Sequence, residues 1–594
     1  MEALIGTALP ALRAVHLVVL FGALGSATVR LLLGRGLATG AGGEALPGQL
    51  AICGRLCVLL AIVSGAGWFW LQGSVMAGRP IADLPTLRTI AETGFGKALL
   101  LRAALLAGAV ALFRRGGWAS PAALSLLVLA ALLQGALGHG AATDPTTMTA
   151  LGIHAAAAGL WLGCLPPLLM VCMHLPDQAP ILAKRFTPLG LACVAILAAT
   201  SLMQAQAFAG TLPALLGTDY GKLALVKLAL FAGLLLLAAA NRFRFVPKAE
   251  AGGSVSGLTL SIAAEIGLGL AIVGVAATLA NQPPGIHDQP NWPFALRPVP
   301  GLWDDAYLRS GLLGLLKSIC IVVALATLAV LVRRLRWAAL LAGVVALAFV
   351  RIPPWRPYVV DAVPTSFQSS PTGYGARSIA AGQALFQSTC ADCHGKDARG
   401  RGPMAVARSV WPPDLSAPLI AGRPDGELFW SIRHGVGAMP PAPGLDDASV
   451  WALVDFIRLR AGARAFESAE MQWGNPTRVP GFVARCRKGT ILGPGSGEPL
   501  QLWIERDAAG VRAWVQAMCS AERCPVEDPE PLATALAELT RSPFPPAQVL
   551  VDANGWLRRT FRTDDEAAPT LVAGEMFRIR ERPLDGTAAH HRRP

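Results

Sequence analysis

Charge is scarce in this chain: Asp, Glu, Lys and Arg make up 15% of its 594 residues, while 53% are hydrophobic. A chain this apolar, with a mean hydropathy of +0.48, is excluded from the ordinary soluble class. Its charged residues also concentrate after residue 350. Histidine is rare, with 9 in the whole chain, so imidazole clusters can be few. The segment Met1 to Pro10 lacks a basic region, and no small-residue cleavage site follows the next apolar run. A cleavable signal peptide is therefore not expected, and the first apolar segment should stay as an anchor. The net charge is +13, yet many of the basic residues sit in short loops between apolar runs, so no nucleic-acid surface is expected.

What the chain has instead is long apolar stretches. A run of about 18 or more apolar residues is a candidate transmembrane helix. Ten are read, near 11–33, 51–71, 97–113, 120–139, 149–172, 187–208, 222–241, 257–280, 310–332 and 336–351. Basic residues favour the cytoplasmic side of a membrane. Arg30 and Arg35, Arg114 and Arg115, Lys184 and Arg185, Arg242, Arg244 and Lys248, and Arg333, Arg334 and Arg336 fall in loops on one side of this count. The opposite loops are poorer in charge, although Arg79, Arg88 and Lys97 lie in the longest. Both termini are then outside the cytoplasm.

After the apolar half comes Cys390-Ala391-Asp392-Cys393-His394. A C-x-x-C-H run is the attachment signature of a c-type haem. Each thiol adds to one vinyl group, and the histidine supplies the proximal nitrogen to iron. A zinc site would need two further ligands at useful spacing, and none is there. Residues 376–387 read as an amphipathic helix leading into the motif, and 446–459 as a closing helix. Between them, Met439 lies in a Pro-held loop and is the favoured second axial ligand; Met404 is the competitor. The segment 376–462 resembles a class I cytochrome c in motif, order and length. The resemblance implies a one-electron carrier with one covalent haem c. Such haem is attached on the periplasmic side, which agrees with the basic-residue count and implies a multi-pass protein of the bacterial inner membrane.

The membrane half carries a second resemblance. Phe186-Thr187-Pro188-Leu189-Gly190-Leu191 is followed by Gly217-Thr218-Asp219-Tyr220-Gly221-Lys222, then Lys227, then Asn241-Arg242. Upstream, His154 precedes Trp161 and Gly163 on one helix. This succession is similar to the copper resistance D family, most clearly over 150–280. It implies copper handling at or across the membrane. Read by themselves, His16, His139 and His154 fall at one membrane depth near the outer side, with Met148 and Met203 nearby. They form either a copper site, since imidazole and thioether suit that metal, or interhelical hydrogen bonds. Cys53, Cys57, Cys172, Met173, His174 and Cys193 offer softer ligands towards the cytoplasm, or pack as small hydrophobes.

The expected architecture is thus a polytopic α-helical membrane bundle of about ten helices over 1–351, a linker at 352–375, an all-α cytochrome c domain at 376–462 and a small α/β domain at 477–594. In that last part, 500–505 and 547–552 read as strands, 509–518 as a helix, and Asn554-Gly555 as a hairpin turn before 556–562. The order is loosely like a thioredoxin-type domain. Cys519 and Cys524 are expected to form a structural disulfide, which leaves Cys486 odd. The expected function is copper transport or resistance joined to one-electron transfer, a carrier rather than an enzyme. The expected partners are copper ions, a redox protein and the lipid bilayer. The alternative is a membrane-anchored electron carrier of a respiratory or oxidase-assembly system, with no copper transport. A quinol-oxidising enzyme ranks last, because His139 and His154 form no obvious haem-holding pair.

Overall fold

The structure, a computed structural model, describes residues 2–33, 46–78, 83–113, 119–138, 144–348, 350, 353–442, 444–467, 477–518, 520–561 and 569–581. It divides into two compact units, 1–290 and 291–594.

The first unit is helical. Its long helices are α1 (Glu2–Leu33), α2 (Leu46–Ala77), α4 (Gly94–Phe113), α6 (Pro145–Leu162), α8 (Ala179–Phe208), α10 (Asp219–Ala240) and α12 (Ser256–Leu279). Shorter ones lie between them: α3 (Leu84–Glu92), α5 (Ala119–Leu132), α7 (Leu165–His174), α9 (Leu212–Gly217) and α11 (Val246–Glu250). In lipid every backbone polar group must be satisfied within the chain, and a helix does this along its whole length. Across both units, eight described helices are long and apolar enough to cross a membrane. The other two expected spans appear as the shorter apolar helices Pro121–Ala136 and Trp337–Ala348. Even 17 residues rise only about 26 Å, less than the ~30 Å hydrocarbon layer.

One end of this unit gathers basic side chains on helix ends. Arg185 donates to the carbonyls of Leu32 and Leu33, which end α1. Arg55 donates to the Phe113 carbonyl, which ends α4. Lys184 pairs with Glu250 at 2.6 Å. The two arginines satisfy carbonyls that the helices leave unpaired at their C-termini. Arg35, Arg79, Arg114 and Arg115 lie outside the described residues.

The second unit begins with α13 (Ala306–Leu331) and α14 (Arg336–Ala348) and continues into a helical region. That region has α15 (Ala376–Thr389), α16 (Ala391–His394), α17 (Pro418–Ala421), α18 (Asp425–His434) and α19 (Asp447–Ala463). Helices α15 and α19 cross closely. A Cβ on Gly382 would lie 1.9 Å from the Ala452 carbonyl oxygen, so only glycine permits the approach. Phe386 and Phe456 then meet at 5.1 Å between ring centroids, and both are buried. Strands β1 (Leu296–Pro298) and β2 (Val359–Asp361) form an antiparallel pair outside these helices. Arg297 of β1 makes a buried ion pair with Glu427 of α18 at 2.8 Å.

The C-terminal part is a six-stranded sheet in the order β3-β10-β9-β6-β7-β8. Its strands are β3 (Thr477–Arg478), β6 (Leu500–Asp507), β7 (Gly510–Ala517), β8 (Cys524–Pro525), β9 (Gln548–Val551) and β10 (Trp556–Phe561); β4 (Ala484–Arg485) and β5 (Ile491–Leu492) pair separately. The helix expected at 509–518 is strand β7. Val511, Ala513, Val515 and Ala517 alternate with Arg512, Trp514 and Gln516, and that period of two fits a strand hydrogen-bonded to β6. All pairings in this sheet are antiparallel. The Asn554-Gly555 turn joins β9 to β10 as expected, with Gly555 at φ +86°. Helix α20 (Pro529–Thr540) packs between the sheet and α15 and α19, and a single hydrophobic core runs through both regions. Helix α21 (Pro569–Glu581) covers a smaller cluster around Phe561 and Met576.

The expected disulfide is corrected. Cys524 bonds to Cys486, not to Cys519, and links β8 to the end of β4. The pairing follows from the sheet, because β4 and β8 lie side by side through the Ala484–Val526 bridge. Cys519 lies outside the described residues.

Candidate haem site and membrane cavities

The attachment motif sits where α15 gives way to the single turn of α16. Cys390 ends α15, and its carbonyl accepts from the amides of both Cys393 and His394. The turn brings both thiols and the imidazole into one short segment. Cys390 and Cys393 are free and half-buried. Burial, and secondly the neighbouring Cys393, pushes the Cys390 thiol up to about 11. Arg408 lies 3.6 Å from Cys393 Sγ. His394 is 8% exposed, and its Nδ1 has no hydrogen-bond partner. Burial pulls the His394 pKa down, and the nearby Pro413 carbonyl opposes this only in part. A neutral imidazole is the form that binds a metal.

The loop carrying Met439 is fixed by its own backbone. Val436 and Met439 exchange amide–carbonyl bonds at 3.0 Å, and the Ala442 amide donates to the Ile432 carbonyl. Gly435 takes φ +78°, and a Cβ there would meet the Met439 carbonyl oxygen at 2.6 Å. Met439 and Cys390 pack against the same core, which contains Phe386, Phe456 and the stacked Phe429–Trp451 pair. Met404, by contrast, is 48% exposed.

A haem c needs two reachable thiols, a neutral imidazole and an apolar wall. The free cysteines, the buried imidazole and the aromatic core around them fit that group. When bound, its iron supplies reversible one-electron exchange.

The membrane histidines have different surroundings. His16 on α1 is buried between Ser64 and Arg102. Its Nδ1 lies 3.2 Å from Ser64 Oγ, and its Nε2 lies 3.3 Å from Arg102 Nη1. Ser64 Oγ already donates to the Leu60 carbonyl, so it accepts from His16 Nδ1–H, and Arg102 donates to Nε2. Both ring nitrogens are thus taken. His154 on α6 has Nδ1 2.9 Å from Thr200 Oγ1, which donates to the Ile196 carbonyl. By the same logic its Nδ1 carries the proton, and its Nε2 lone pair has no partner among the described residues. His154 lines a cavity of about 200 Å³ with Ser201, Gln204, Tyr220 and Lys227. His16 lines another, of about 260 Å³. Neither of these two cavities is lined by both histidines, and neither is lined by Met148 or Met203. His139 lies outside the described residues. Sequence reasoning missed Arg102 and took Lys227 only as part of the family resemblance; charged residues inside apolar helices were the signal for both.

Of the thiols, Cys172 and Cys193 are buried in one hydrophobic cluster with Cys164, while Cys53 and Cys57 are half-buried. Among the described residues, the cysteine-containing metal-type group is Cys486, Glu522 and Cys524, and its two sulfurs are already bonded to each other.

Residues 1–150 match the family model of the copper resistance protein D-like N-terminal domain. Residues 181–279 match that of copper resistance protein D. Residues 377–457 match that of subunit III of cbb3-type cytochrome c oxidase. No curated protein and no solved structure matches the chain. A cytochrome c region of this kind implies a covalently bound haem c, and the apolar helices make this a multi-pass membrane protein. The chain joins a membrane region of the copper resistance D family to a cytochrome c region.

Proposed function

We propose that this is an inner-membrane copper-handling protein that carries a one-electron centre on its periplasmic side. The observation that carries the electron-transfer part is the Cys390–His394 turn, with two free thiols and a buried imidazole on an aromatic core. Cys390 and Cys393 would hold the group covalently, and His394 and Met439 would offer its iron an imidazole nitrogen and a thioether. The fixed Gly435–Met439 turn keeps that thioether in place, and the surrounding Phe and Trp side chains exclude water.

The copper part is supported by the family match and by the free Nε2 of His154. Thr200 orients that ring, as the hydrogen-bonding partners of metal-binding histidines do. Two observations favour the second reading, an anchored electron carrier without copper transport. Lys227 shares the His154 cavity, and a like charge opposes a metal cation there. His16 has no free nitrogen.

Covalent haem staining on a denaturing gel tests the first part. Staining that persists in a Cys390→Ala/Cys393→Ala variant removes the haem assignment. Met439→Ala should abolish a methionine–iron charge-transfer band in the oxidised protein; its retention would move the ligand to Met404. For copper, reduced protein is mixed with Cu(II) in a stopped-flow instrument and followed at the haem bands. Haem oxidation as fast in His154→Ala as in the parent leaves the anchored carrier as the function.

A further inference from the structure

The cavity beside His16 is built around an unneutralised cation. Arg102 is 0% exposed in the middle of α4. Its Nη1 donates to His16 and, at 3.0 Å, to Gln134. Its Nε and Nη2 are buried and have no partner. No carboxylate pairs with it among the described residues. A guanidinium held away from water without a counter-charge is strongly unfavourable, and intramembrane charges mark ligand paths. Nε and Nη2 form one edge of the guanidinium fork, and that edge matches the two oxygens of a carboxylate.

The rest of the cavity is apolar. Phe69, Trp70, Leu99 and Leu100 line it together with His16 and Arg102. Leu100 and Trp70 are also 52% and 43% exposed, on helices that cross the membrane, so the cavity reaches the lipid-facing surface. A guest arriving from that side has an apolar body. A metal cation is the wrong guest, because Arg102 repels it and His16 has no lone pair to give.

We propose that this cavity binds a lipid-soluble carboxylate, such as a free fatty acid, with its chain against Trp70 and Leu100 and its head on Arg102, whose covered free edge turns into the cavity to meet it. The site is independent of the haem and copper readings and stands whether or not they do.

The test is equilibrium binding of radiolabelled oleate to the full-length protein in nanodiscs. Binding should saturate at a single site and weaken by about tenfold or more in Arg102→Gln, since the charge-assisted bidentate contact is lost. Ala103→Phe keeps the guanidinium and fills the cavity, and should weaken binding to a similar degree. Far-ultraviolet circular dichroism and gel-filtration volume report whether each variant is folded; if Arg102→Gln is not, Ala103→Phe decides. The neutral methyl ester of oleate should not displace the label. Non-saturable binding, displacement by the ester or by a short-chain quinone, or unchanged affinity in a folded Ala103→Phe protein would each overturn the proposal.

Discussion

The ion pair between Arg297 and Glu427 allows an asymmetric test of how the cytochrome region is held. The two side chains are 8% and 10% exposed and meet at 2.8 Å. Glu427 is the shared anion. It also takes Arg423 at 3.5 Å and Ser366 at 3.3 Å. Glu427→Gln leaves Arg297 buried without a counter-charge, and breaking a buried pair in this way costs about 3–5 kcal/mol. Arg297→Gln leaves Glu427 with Arg423 and Ser366, so the loss is closer to that of one charged hydrogen bond, about 1.5–3 kcal/mol. The region that unfolds with this pair includes the sheet, because one core runs through both. For a unit of that size each kcal/mol is worth about 2–4 °C, so Glu427→Gln should lower the midpoint by about 6–20 °C. The measurement is thermal unfolding of the detergent-purified protein, followed by circular dichroism at the haem Soret band. Equal losses in the two variants, or less than about 1 kcal/mol in either, would show that the pair is solvated and the reasoning wrong.

Three further outcomes are expected. Non-reducing peptide mapping should recover Cys486 linked to Cys524, and Cys486→Ala/Cys524→Ala should cost about 4 kcal/mol for a 38-residue loop; a Cys519–Cys524 peptide would contradict the fold. Burial raises the Asp455 carboxyl above its ordinary 3.8, although hydrogen bonds from Thr372, Ser378 and Ser370 oppose this. The folded chain then binds that proton more tightly than the unfolded chain. Its stabilising share is complete below pH 3.8 and disappears as pH rises through the raised value, so Asp455→Asn should flatten this fall in a series of denaturant titrations. A reporter active only in the periplasm should work when fused after residue 375 and fail after Arg244. The reverse pattern would overturn the orientation and, with it, the outer-side haem.

The cytochrome c motif and the membrane character were legible before any fold was known, and the reason is locality. Cys390, Cys393 and His394 lie within five residues, so one helical turn assembles them whatever packs around it. Membrane helices are likewise local, since each satisfies its own backbone. The Asn554-Gly555 hairpin was readable because the turn is chosen by the residues that make it. Strand β7 was misread because Ala, Gln and Met tolerate a helix, and only pairing with β6 selects the period of two.

What only the tertiary structure decided is which distant groups meet. The partner of Cys524 depends on β4 lying beside β8, which brings in Cys486 from 38 residues away in sequence. The fate of His16 depends on Arg102, 86 residues later, which occupies the nitrogen that a metal would need. His154 keeps its nitrogen because Thr200 binds the other side of the ring. In sequence these are similar histidines on similar apolar helices. Their chemistry diverges because a side chain in a low-dielectric interior takes its role from the one or two polar groups that packing places against it.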